Sequence, residues 1–142
     1  MAVTQLVRFK IDCVPPTTSH HHKKIVKTKA FTKLADRDEL VHAKQLLEVY
    51  LLRHRILAPV PAPIRLTIAY VWPWLAKHGK RVREAGVRIP HTSKPDLTNV
   101  TKTLEDRLAK MRFIEDDRGV AQLVISKWWG PDPGIFVQIE TF

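Results

Sequence analysis

The chain has a single cysteine, Cys13, among its 142 residues, so no intrachain disulfide can form. No run of about 18 apolar residues is present, which excludes a membrane-spanning helix. The sequence also lacks a Gly-rich phosphate loop and a Ser-His-Asp or Cys-His arrangement, so it offers no sign of nucleotide hydrolysis or of a nucleophilic side chain. These absences predict an intracellular protein without a small-molecule cofactor, in which Cys13 is a buried strand residue.

Acidic residues are few and unevenly placed. The chain has 24 Lys and Arg against 14 Asp and Glu, a formal charge of +10. Six of the 14 acidic residues nevertheless lie within residues 94–120, namely Asp96, Glu105, Asp106, Glu115, Asp116 and Asp117. Carboxylates that repel one another are commonly held together by a hard divalent cation bound through oxygen. An acidic pocket in a basic body predicts a phosphodiester substrate.

The same stretch, residues 94–120, has the periodicity of a helix. Asp96 after Pro95 is suited to cap its start, which is also the plain structural explanation of Asp96. Thr98, Lys102 and Glu105 share a flank, and the structural explanation of Lys102 is a pair with Glu105. The chain then turns through residues 115–117 into a strand. An apolar stripe marks the buried face of the helix: Leu97, Val100, Leu104, Leu108 and Met111.

The remaining elements predict one α+β domain over residues 1–142. Alternating apolar residues indicate strands at 5–13, 64–72 and from 135, and a helix is expected from Asp36 to about Arg55. A short helix at 74–78 is compatible with the sequence, although the segment has mostly the character of a mobile basic arm. Residues 120–128 are almost continuously apolar, which predicts a strand central to its sheet. Together these elements give a mixed sheet of about four strands with two main helices packed on it.

Two basic stretches, about 16–33 and 76–94, are predicted to be mobile loops that contact phosphates. The first contains three adjacent histidines, whose side chains diverge, so a zinc site is not expected there. The alternatives are a solvated loop without function for the first stretch and a disordered surface insertion for the second. Trp74 is suited either to stacking on a base or to filling a core gap. The candidate nucleic-acid contacts are Lys23, Lys24, Lys27, Lys80, Arg81, Arg83, Lys94 and Asn99.

The order PDLTNVTKTLEDRL, then EDD and an apolar strand, resembles the RusA family of Holliday-junction resolvases, small nucleases often carried by prophages. The family pattern is Asp-x-Asp-Asn-x-x-Lys followed by an Asp pair. It matches Asp96, Asn99, Lys102 and the pair Asp116 and Asp117. The resemblance implies that Asp96 and Asp117 bind metal, that Lys102 is required for cleavage, and that the protein is a homodimer in the bacterial cytoplasm.

One position departs from the family pattern, because Thr98 stands where the family has its second Asp. Activity is then either lost or supported by a relocated carboxylate, and Glu105, two turns along the same face, is the candidate. The expected activity is Mg²⁺- or Mn²⁺-dependent cleavage of four-way DNA junctions in recombination and repair. The candidate metal ligands are Asp96, Asp117, Glu105 and Asp116, and Lys102 completes the catalytic set. A non-catalytic DNA- or RNA-binding protein and a ribosome-associated basic protein remain as alternatives.

Overall fold

The computed structural model describes residues 4–17, 23–27, 32–36 and 38–142, the second and third ranges as backbone only. The helices are α1 (Asp38–Leu52), α2 (Lys80–Ala85) and α3 (Leu97–Lys110), with a 3₁₀ turn at Asp117–Gly119. None of the described helices is long and apolar enough to cross a membrane. The strands are β1 (Leu6–Ile11), β2 (Lys23–Lys27), β3 (Thr32–Asp36), β4 (Ile64–Pro73), β5 (Ile89–Pro90), β6 (Val120–Gly130) and β7 (Gly134–Thr141).

Five of the strands form one mixed sheet in the order β1-β7-β4-β6-β5. β4 and β6 are parallel, whereas the other neighbours in this sheet are antiparallel. The α+β class is therefore confirmed, with five strands in the main sheet instead of about four. β2 and β3 make a separate antiparallel hairpin inside a stretch that was expected to be loop.

The core lies between the main sheet and the helices α1 and α3. Alternate residues of β4 are buried, because Leu66, Ile68 and Tyr70 point to the helical side. α3 buries the predicted apolar stripe, including Leu104 and Leu108. The C-terminal half of α3 is tied to α1 through two hydrogen bonds on the Glu48 carboxylate, from Arg107 and Lys110. This packing holds the opposite flank of α3 at the surface.

The start of α1 and the segment 74–85 differ from the sequence prediction. α1 begins at Asp38, since Asp36 is the last residue of β3. No helix forms at 74–78, and within the stretch interpreted as a mobile arm α2 forms at Lys80–Ala85. The Leu75 N–H donates to Nδ1 of His78, and the Trp74 indole N–H donates to the carbonyl of Val87. Residues 74–78 therefore form a turn and not a helix.

The prediction that residues 120–128 form a central strand is only partly right. β6 pairs with β4 along its length, but on its other side β5 contributes only Ile89 and Pro90, opposite Trp129 and Trp128. Apolar periodicity cannot reveal how long the neighbouring strand is. Most of β6 is therefore an edge strand of the main sheet among the described residues.

Candidate active site

The N-terminus of α3 is capped as the sequence predicts. Oδ1 of Asp96 accepts hydrogen bonds from the backbone N–H of Thr98 at 3.0 Å and from its hydroxyl at 2.8 Å. These bonds, the hydroxyl's first, lower the pKa of Asp96, so this exposed carboxylate is ionised at neutral pH. Thr98, the residue that departs from the family pattern, thus orients Asp96.

One turn further along α3, Lys102 joins two carboxylates. Its ammonium lies 2.5 Å from Oδ2 of Asp117 and 3.4 Å from Oδ1 of Asp106. The bond to Asp117 is the main reason that the pKa of Lys102 is raised. The side chains of Lys102 and Asp117 are 44% and 32% exposed, so solvent and a substrate can reach both of them. The expected helical pair of Lys102 with Glu105 is replaced by one with Asp106.

Glu105 lies on the same flank and is half-buried. Burial raises its pKa, and the charges of Asp117 and Asp106 add to that effect while Lys102 opposes it. Glu105 is therefore electrostatically part of the group formed by Lys102, Asp106 and Asp117. A divalent cation would favour its ionised form.

Asp116 begins the 3₁₀ turn that carries Asp117. Its carboxylate accepts hydrogen bonds from the Arg118 backbone N–H at 2.9 Å and from the Arg118 guanidinium at 3.1 Å. These bonds, with a further contribution from the neighbouring Asp117 side chain, lower the pKa of Asp116 to about 2. Asp116 thereby acts as a cap for the turn, which presents Asp117 to α3.

The contacts bring Asp96 and Asp117 to the same flank of α3. Thr98, bonded to Asp96, and Lys102, bonded to Asp117, are four residues apart, about 6 Å along the helix axis. β6 follows the turn and carries Lys127 back to the beginning of α3, so the chain reverses direction as the sequence hypothesis required.

The donor set is chemically suited to a hard divalent cation, because all of the acidic ligands offer oxygen. In the part of the chain that the structure describes, however, no three Asp, Glu, His or Cys side chains are grouped closely enough to hold a metal ion. Mg²⁺ usually takes only one or two protein carboxylates and completes its shell with waters and substrate phosphates. Asp96 and Asp117 fit that requirement without a preformed cage.

Lys127 on β6 holds the loop that leads into α3. Its ammonium donates to the carbonyl of Ser93 and, at 2.6 Å, to the carbonyl of Pro95. Burial lowers the pKa of Lys127, whereas the charge of Asp96 raises it. One feature of the sequence could have identified Lys127 as a structurally important residue. It is the only charged residue in the apolar run 120–129. Such a residue is rarely buried without partners.

The basic stretch around α2 packs on Trp129 of β6. The Trp129 ring of β6 contacts the rings of His91, at 3.8 Å, and His78, at 5.9 Å. Arg83 is used internally, because its guanidinium donates to the carbonyls of His78 and Leu75. Lys80 pairs with Glu84 at 3.7 Å, while Arg81 and Lys94 are exposed. Trp74 is tied to Val87 through its indole N–H.

The remaining predicted contacts are described less fully. Lys23, Lys24 and Lys27 lie on β2, and their side chains fall outside what the structure describes. The histidine run 20–22 lies outside the described residues altogether. Asn99 is on α3, in the first turn and on the flank of the acidic group.

Comparison with known proteins identifies the family. The family model for the endodeoxyribonuclease RusA matches residues 12–140, nearly the whole chain. No individually curated protein matches the chain. The matched region contains the capped start of α3, the Lys102 ion pairs and the turn at Asp117, so the resemblance seen in the sequence is confirmed over residues 12–140. The chain belongs to the RusA family of endodeoxyribonucleases.

Proposed function

We propose that this protein resolves four-way DNA junctions by divalent-metal-dependent hydrolysis, as a homodimer acting in recombination and repair. The observation that carries the proposal is the contact between Lys102 and Asp117, made beside Asp106 and four residues along α3 from Thr98, which is bonded to Asp96. The family supplies the substrate class, and the contact shows which side chains meet. The proposal includes a bacterial cytoplasmic location and a prophage origin, both of which the family resemblance implies.

Asp96 and Asp117 are the proposed ligands for Mg²⁺ or Mn²⁺, and Glu105 or Asp116 is the third. A bound cation would polarise the scissile phosphate and acidify an attacking water. Asp116 is already engaged by Arg118, whereas Glu105 faces the same group of charges as Lys102 and Asp117. Glu105 is therefore the better substitute for the carboxylate that Thr98 replaces.

Lys102 has the chemistry to neutralise charge that develops on phosphoryl oxygens. Its raised pKa keeps the ammonium charged, and its exposed fraction leaves it open to a backbone phosphate. The exposed cations around α2, chiefly Arg81 and Lys94, would hold neighbouring phosphates. Each phosphate contact releases counterions, so binding should weaken steeply with added salt.

A second function, branched-DNA or RNA binding without cleavage, is favoured by two observations. Thr98 places a hydroxyl, bonded to Asp96, where the family has an acid, and the described residues hold no group of three ligands. The two functions share the basic surface and differ only in whether the acidic group performs chemistry.

A cleavage assay separates them. Purified protein is incubated with a synthetic four-way junction and with linear duplex of equal length, in Mg²⁺, Mn²⁺ or chelator. We expect paired nicks in the junction that require the metal. Junction binding without nicks at every metal concentration would reject the nuclease and leave the binding protein, and equal binding of both DNAs would reject both.

A further inference from the structure

His91 is a buried histidine five residues before Asp96, and it retains only 4% of its accessible surface. Its ring stacks on Trp129 at 3.8 Å, with 10° between the ring planes, and makes a T-shaped contact with Trp72 at 5.0 Å. Its backbone N–H donates to the carbonyl of Lys127 at 3.1 Å. The main sheet therefore fixes both the position and the orientation of the imidazole.

One ring nitrogen of His91 is bonded to the loop that leads into Asp96. The backbone N–H of Ser93 donates to Nδ1 of His91 at 3.2 Å. A backbone N–H can only donate, so Nδ1 carries a lone pair and the proton of the neutral ring is on Nε2. The carbonyl of the same Ser93 accepts a hydrogen bond from the Lys127 ammonium. Ser93 is thus held by an unprotonated acceptor on its N–H and by a charged donor on its carbonyl.

We infer that His91 is a positioning residue for Asp96, acting through Ser93, and that protonation of its Nδ1 releases the loop. The stacked ring is a fixed point on the sheet, and its hydrogen bond with the Ser93 N–H fixes the loop relative to that point. Only two residues separate Ser93 from Asp96, so a displaced Ser93 also displaces the carboxylate. The inference rests on the proposed role of Asp96 as a metal ligand, since the loop matters for cleavage only if Asp96 does.

The surroundings of His91 favour the neutral ring. Burial lowers its pKa below the ordinary value of 6.5, and the charge of Lys127 on β6 lowers it further. His78 contacts the other partner of the stack, Trp129, and the β4 side chain against the ring is an uncharged indole. Nδ1 is therefore an available acceptor at pH 7. A proton there would set an N–H against the Ser93 N–H and a second positive charge beside Lys127, so the bond is lost as pH falls below 6.5 through the lowered pKa.

Two substitutions separate the acceptor of His91 from its ring. His91→Phe keeps an aromatic ring against the tryptophans and removes the acceptor, whereas His91→Asn removes the ring and keeps an oxygen acceptor at about the place of Nδ1. In junction-cleavage assays, His91→Phe should raise the Mg²⁺ concentration for half-maximal rate about tenfold and change the rate at saturating Mg²⁺ much less. His91→Asn should show the smaller rise in Mg²⁺ requirement but the larger loss of stability, measured by denaturant unfolding. A residue that only fills space would give a Mg²⁺ requirement that follows stability.

Nuclear magnetic resonance of the full chain, without metal or DNA, tests the anchor independently of cleavage. As pH is lowered from neutrality, the amide signal of Ser93 should shift together with the ring signals of His91 in the wild type. The shift should be absent in His91→Phe, whose Ser93 amide should also exchange faster at pH 7. A Ser93 amide that ignores the ring titration, or a Mg²⁺ requirement that follows stability across the two variants, would overturn the inference. A wild type that shows the coupled titration but never cleaves would refute only the proposed function.

Discussion

Lys102 on α3 and Asp117 on the turn before β6 are joined by a 2.5 Å contact, although 15 residues separate them in the chain. The contact makes the proposed metal ligand and the proposed phosphate partner immediate neighbours. Because Lys102 also reaches Asp106 at 3.4 Å, it offsets part of the repulsion between the two carboxylates. The ammonium therefore lowers the electrostatic cost of holding these two carboxylates close together.

Asp117→Asn should abolish metal-dependent cleavage, by at least about 100-fold, since it removes a charged ligand oxygen. Junction binding in chelator should persist or tighten, because the substitution removes a negative charge from a surface that contacts DNA phosphates. Nicking and gel-shift assays measure the two effects separately. Asp106→Asn is the matched control, because it removes the other partner of Lys102 but no proposed ligand, and its effect should be much smaller. Cleavage by Asp117→Asn at the wild-type rate would exclude Asp117 from the site.

Glu105→Gln tests whether a ligand has moved from position 98. We expect cleavage to fall about 10- to 100-fold, with the loss partly reversed by raising the Mn²⁺ concentration. Thr98→Asp in the same background should restore activity, because it returns a carboxylate to the flank that Lys102 occupies. The rates of the single and double variants are compared in one cleavage assay. A fully active Glu105→Gln would reject the relocated ligand.

Elements whose side chains face one uniform environment were predictable from the sequence. The apolar stripe of α3 and the alternating apolar residues of β1 and β4 each mark one buried face of their element. Asp96 was recognisable as a helix cap from its neighbours in the sequence alone. Residues 74–78 do not form a helix, because local contacts such as the hydrogen bond from the Leu75 N–H to His78 hold them in a turn. Hydrophobic periodicity contains no information about such contacts, so this turn was not predictable.

Long-range partners were not predictable. Helical spacing placed Glu105 beside Lys102, but it could not show that the turn after α3 brings Asp117 to that lysine. Nor could it show that Lys127, near the far end of β6, reaches back to the carbonyls of Ser93 and Pro95. Both contacts depend on the register of β6 against β4, which is fixed by packing of the whole sheet.

Lys127→Met tests whether the hydrogen bonds of Lys127 hold the loop before α3 in place. Methionine keeps much of the alkyl stem and removes the ammonium, so the carbonyls of Ser93 and Pro95 lose their charged donor. We expect a loss of about 1–2 kcal/mol in the free energy of unfolding and faster amide exchange at residues 91–98. Cleavage should fall about tenfold as Asp96 loses its fixed position.

Lys77→Met is the control for this change, because Lys77 is an exposed lysine of the neighbouring basic stretch. It should leave amide exchange at residues 91–98 unaltered. Hydrogen exchange is measured without metal or DNA, so the outcome does not depend on nuclease activity. If Lys127→Met showed wild-type exchange in this segment, Lys127 would not position Asp96.

Glu48→Gln should destabilise the fold in a pH-dependent manner. The hydrogen bonds from Lys110 and Arg107 outweigh burial and lower the pKa of Glu48 below its ordinary value of 4.5. The ionised carboxylate is therefore favoured in the folded state, and its stabilisation is present above pH 4.5 and is lost as pH falls through the lower folded value. The Glu48 side chain is 24% exposed, so solvent screens the pair, and we expect a loss of about 1 kcal/mol at pH 7. Denaturant unfolding from pH 7 down to pH 3 should show the wild type and Glu48→Gln converging on the acid side, and a constant difference across that range would rule out the charge as its cause.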